Sequence, residues 1–108
     1  MHVHDTCSAL LFLIDNAKDN EDYNITSNQE FSNLEVAHEV CSILEKNYKI
    51  KTSNLIEFIS YPRGKSHDFK YCMDSSKLNN LGWKSITKFK EGLSDTIDWY
   101  MNNTWSLK

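Results

Sequence analysis

The stretch CSALLFLI, Cys7 to Ile14, places apolar side chains around nearly the whole circumference of any helix it forms. Asp5 or Thr6 can supply the N-cap, because a short oxygen-bearing side chain satisfies a free N–H of the first turn. A helix from Asp5 to about Ala17 is therefore predicted. A helix apolar on every side is normally buried on several of them. A chain of 108 residues offers little to bury it against, since a domain this small covers well under about three quarters of its unfolded surface. The pattern predicts that a partner surface is missing.

The rest of the composition is that of one small globular unit. Apolar residues make up 40% of the chain, too many for a disordered segment, and the net charge is −3 with both signs interspersed. No basic patch suits a phosphate backbone, so nucleic acid is excluded as the expected partner. The longest apolar run, Ala9 to Ile14, is far too short to span a bilayer. Cys7, Cys41 and Cys72 are odd in number and widely spaced, which reads as reduced thiols in a cytoplasmic protein.

Further along, DYNIT (Asp22 to Thr26) reads as a short strand. Ser32 and Glu35 form a capping box, with Phe31 and Val36 as a hydrophobic staple, ahead of a helix over about 33–47. LIEFISY, Leu55 to Tyr61, reads as a strand closed by Pro62. A short extended piece follows from Phe69 to Met73. A short helix from about Ser75 is stopped at Gly82 by a left-handed C-cap, and a last helix runs from about Thr87 to Asn102. The order predicts a mixed α/β unit whose strands, separated by a helix, need a crossover or a strand from elsewhere.

Several chemistries can be weighed on these residues. His2 and His4, two apart on a strand end, with Cys7 beyond them, have the outline of a metal site. No further His/Cys cluster supplies a fourth ligand, so solvent-facing imidazoles are expected and no metal is assigned. The thiols lack a neighbouring base, and no catalytic residue is assigned. Glycines at 64, 82 and 92 cannot build a phosphate loop. Two places could receive an anion. Asn33 falls in the first turn of the capped helix, where N–H groups and the dipole favour negative charge. The loop Arg63-Gly64-Lys65-Ser66-His67 offers cationic and hydroxyl donors. Taken alone, both are more readily an ordinary cap and a solvated loop.

Read together, these segments resemble the C-terminal end of nucleotide-sugar 4,6-dehydratases, most of all those acting on dTDP-glucose. That family closes with an Arg-Pro-Gly-His-Asp loop, an Arg-Tyr and an Asp-x-x-Lys stretch, then LGW, EGL and T-x-x-W-Y. The counterparts are Arg63, His67-Asp68, Lys70-Tyr71, Asp74 to Lys77, Leu81-Gly82-Trp83, Glu91-Gly92-Leu93 and Thr96 to Tyr100. Upstream, HVHDTCSAL resembles the family's His/Tyr-Val-x-Asp turn. DYNITSNQEFSNLEV resembles its Tyr-Asn-Ile-Gly-Gly and Asn-Leu-Glu-Val stretch. Related sugar epimerases share parts of the pattern.

The resemblance implies the substrate-binding portion, residues 1–108, of an extended short-chain dehydrogenase of Rossmann type. The expected fold is α/β, mostly helices with two or three short strands. It implies that Asn33, Arg63 and His67 hold a nucleotide diphosphate sugar, dTDP- or UDP-linked. The cofactor of the complete family enzyme is NAD; none is expected in this chain, where the dinucleotide-binding region and the catalytic residues have no counterpart. The expected partner is that missing Rossmann domain or a full-length homologue, with no membrane involved. Inactivity of the isolated chain follows. A non-enzymatic vestigial or docking fragment, or part of a related epimerase, is the alternative. Two departures stand out. The loop at Arg63 is one residue longer and lacks the proline, which predicts a displaced Arg63. Thr26-Ser27 replaces Gly-Gly at a turn expected to need positive φ.

Overall fold

The computed structural model describes residues 1–59 and 73–107. Four α-helices form: α1 Val3–Asn16, α2 Asn33–Tyr48, α3 Ser76–Leu81 and α4 Phe89–Asn102, followed by a 3-10 turn Thr104–Leu107. The chain divides into two compact units, Met1–Glu30 with Met73–Lys108, and Phe31–Cys72.

The expected α/β architecture does not form, because no strand occurs among the described residues. Residues 22–26 are held instead by side chains. Asn24 Nδ2 donates to the Asp74 carbonyl at 3.1 Å, Lys77 Nζ donates to the Asp22 carbonyl at 2.8 Å, and Tyr23 accepts at its hydroxyl from Lys18 N–H at 3.1 Å. A strand needs a neighbouring backbone to complete its ladder, and here the neighbours are side chains and a helix start. The second expected strand fails for a related reason. The Leu55 N–H closes a turn onto the Thr52 carbonyl at 3.0 Å, and Leu55, Phe58 and Ile59 remain exposed. Period-two hydrophobicity there meets no partner strand among the described residues. Ser60 and Tyr61, and Phe69 to Cys72 of the third extended piece, lie outside the described residues.

In the first unit the core is Ala9, Leu78 and Trp83, with Phe12, Leu13, Tyr23 and Ile25 packed against it. The buried indole of Trp83 is oriented by its Nε1–H, which donates to Ser8 Oγ at 2.8 Å. Gly82 ends α3 at φ 117°, the left-handed C-cap that its sequence position implies. The N–H groups of Gly82 and Trp83 close onto the Asn79 and Leu78 carbonyls. α1 begins at Val3, two residues before the expected start, and its cap is His2 rather than Asp5 or Thr6. The His2 ring accepts from His4 N–H at 3.4 Å. Asp5 is withdrawn from capping because its carboxylate is engaged across the unit.

The second unit contains α2. Its capping box is complete: Ser32 Oγ accepts from Glu35 N–H at 3.2 Å, and Glu35 Oε2 accepts from Ser32 N–H at 2.7 Å. The helix ends at Lys49, in the left-handed region at φ 59°. Glu45 Oε1 then accepts from both the N–H and the hydroxyl of buried Thr52, which turns the chain back along the helix.

Gly92 is buried where α4 meets the start of α1. A Cβ built there would lie 2.9 Å from Thr87 Cγ2 and 3.1 Å from His2 Cβ. Thr87 cannot swing away, since its hydroxyl donates to Asp5 at 3.0 Å. Helix propensity favours alanine over glycine by about 1 kcal/mol, while overpacking of a fixed neighbour costs about 1–3 kcal/mol. Gly92→Ala is expected to lower stability by about 1 kcal/mol net, read as an earlier urea midpoint at unchanged slope; an unchanged or later midpoint would show that the approach tolerates a methyl group.

Candidate functional site

Of the three residues read as substrate-binding, Asn33 lies in the second unit. Asn33 is the first residue of α2, exposed, directly after the Ser32 cap. Its place at a helix start is where the sequence puts it. Arg63 and His67 lie outside the described residues. Of the trio the structure thus describes Asn33, at a helix N-terminus.

The suggestion of a metal site at the chain's start meets a different geometry from the one expected. His4 is helical rather than on a strand, and the His2 and His4 rings stack edge to face at 4.7 Å. His2 Nδ1 is used as a helix cap. Among the described residues no group of three His, Cys, Asp or Glu side chains is placed to hold a metal ion. Cys7 and Cys41 are free thiols.

Polar residues that the sequence reading passed over make the most specific connections. Asp5, only 2% exposed, accepts from Ser85 Oγ at 2.6 Å, from Thr87 N–H at 3.1 Å and from Thr87 Oγ1 at 3.0 Å. Burial pushes its pKa up, but the hydrogen bonds from Ser85, Thr87 and the Ile86 N–H outweigh that and hold it below the ordinary aspartate value. Gln29 clasps the same segment from the other side. Its Nε2 donates to the Thr87 carbonyl at 3.2 Å and its Oε1 accepts from Phe89 N–H at 2.9 Å, which caps the start of α4. Asn28, at φ 54°, takes the left-handed position, while Thr26 and Ser27 keep negative φ. The turn that Gly-Gly was expected to require is thus displaced onto an asparagine, a residue that tolerates it. Asn28 Nδ2 also donates to buried Ser75 Oγ at 2.8 Å. The available signal was an aspartate directly before a run of apolar helix positions, but local patterning reads such a residue as a cap.

The motif residues behind the family resemblance have structural work here. Asp74 accepts from Ser76 N–H at 2.8 Å and from Ser76 Oγ at 2.9 Å, bonds that lower its pKa, the backbone one most. Lys77 pairs with Glu21 at 2.5 Å and lies over the Tyr23 ring at 4.6 Å. Their hydrogen bond lowers the Glu21 pKa and raises that of Lys77. Both groups are half-exposed, so the pair fixes geometry more than it adds stability.

No protein-family profile matches the chain. Whole proteins do. It is 33% identical over 106 residues to the dTDP-glucose 4,6-dehydratase of Salmonella typhimurium, covering 96% of this chain and 29% of that protein. The dTDP-glucose 4,6-dehydratase of Xanthomonas campestris is 32% identical over 112 residues, 97% of this chain and 31% of that protein. The human dTDP-D-glucose 4,6-dehydratase is 31% identical over 109 residues, 100% of this chain and 31% of that protein. The chain is thus related, over essentially its whole length, to a segment of the nucleotide-sugar 4,6-dehydratases. Within that class the similarity is to the dTDP-glucose enzymes, of whose length it spans about 30%, a share consistent with a C-terminal segment.

The Asp5 clamp has a pH signature. A carboxylate with a depressed folded-state pKa stabilises fully above its unfolded value of about 3.9, and that contribution is lost as pH falls through the folded value. Asp5→Asn is expected to flatten the fall in melting temperature between pH 5 and pH 2 relative to the parent chain. Asp5→Ala, which leaves the Ser85 and Thr87 donors without their acceptor, is expected to cost about 3 kcal/mol at neutral pH. Parallel pH profiles for parent and Asp5→Asn would show that ionisation of Asp5 contributes nothing to folding.

Proposed function

We propose that this chain is the nucleotide-sugar-binding portion of a dTDP-glucose 4,6-dehydratase-like enzyme. The observation that carries the proposal is similarity to dTDP-glucose 4,6-dehydratases along the whole chain. In this reading Asn33 contacts the nucleotide sugar from the start of α2, where N–H groups and the helix dipole favour a phosphate oxygen. Arg63 and His67 hold the diphosphate, an arginine fork matching its paired oxygens. The relatives named above are dehydratases, which favours this reading over a related epimerase.

NAD serves hydride transfer in the complete family enzyme, a lyase. The residues of this chain do not fit it. No Gly-x-Gly-x-x-Gly run exists, Gly82 is committed to a helix C-cap and Gly92 to a close helix approach. Its own part is therefore to bind and orient the nucleotide end. A dinucleotide-binding domain, supplied by a longer chain or a full-length homologue, completes the enzyme. Reduced thiols such as Cys7 and Cys41 go with a cytoplasmic setting, and no helix among the described residues is long and apolar enough to cross a membrane.

Titration calorimetry with dTDP-glucose tests the proposal. Binding is expected, weakened about tenfold by Arg63→Ala and by Asn33→Ala, since a hydrogen bond to a charged oxygen contributes about 1.5–3 kcal/mol. The chain incubated with dTDP-glucose and NAD is expected to release no 4-keto product. Turnover would overturn its inactivity, and absence of binding with intact helix content would overturn the substrate role.

A second reading, a docking fragment without enzymatic work, is favoured by one observation. Val3, Cys7, Leu10, Leu11 and Ile14 form an exposed stripe on α1, opposite the face that carries Asp5, Ala9 and Phe12. Contiguous apolar surface of this kind marks an interaction site. The chain is expected to bind a fluorescent apolar dye, and the pair Leu10→Lys with Ile14→Lys to reduce that signal at unchanged helix content. A parent chain that is monomeric and dye-silent would rule this reading out.

A further inference from the structure

We draw no further inference here: the strongest candidate, the uncovered apolar stripe of α1 formed by Val3, Cys7, Leu10, Leu11 and Ile14, already supports the docking reading above and carries nothing beyond it, since nothing in the structure shows what covers it.

Discussion

A buried carboxylate ties the start of the first unit's chain to the segment before α4. Asp5 lies in the first turn of α1 and receives donors from Ser85 and Thr87, residues about eighty positions further along the chain. Leu78 and Trp83 form the unit's apolar core with Ala9 of α1. An aspartate so placed would be costly without partners, because an unpaired buried charge pushes towards protonation. Four hydroxyl and amide donors, from Ser85, Thr87 and Ile86, reverse that balance. The stretch before α4 is thereby fixed without a strand ladder. Gln29 fixes its other side, so two side chains supply what neighbouring strands supply in a sheet.

This arrangement explains why one helix can be apolar on every side in so small a chain. One face of α1 covers Ala9, Phe12 and Leu13 against Leu78 and Trp83. The other face, from Val3 through Leu10 to Ile14, stays open, with Ile14 78% exposed. The filling available within the first unit suffices for one side only.

Local signals were legible in the sequence and long-range ones were not. The Ser32–Glu35 box and the Gly82 stop act within four residues, and both form as read. Asp5 shows the opposite case. Its side chain could cap α1 or cross to Thr87, and nothing within a few residues distinguishes the two. The strands failed because alternation at 22–26 and 55–59 signals a residue pattern, whereas a strand exists only where another backbone completes it. Thr26-Ser27 was read as a stiffened turn, yet the chain moved the left-handed position to Asn28. For the candidate site, the place of Asn33 at a helix start was legible through the cap before it, while Arg63 and His67 fall outside the described residues.

The motifs that relate this chain to the dehydratases are, in large part, those that pack it. Trp83 of the LGW stretch is core, Gly92 of EGL permits the approach of α4 to α1, and Asp74 and Lys77 start and pin α3. Each of these positions answers a geometric demand that few residues meet, so similarity distributed over them reflects packing. It says less about chemistry: Asn33, the described member of the proposed substrate-binding trio, starts α2 in the unit without those packing positions. Changes at the packing residues should therefore act on folding of the first unit.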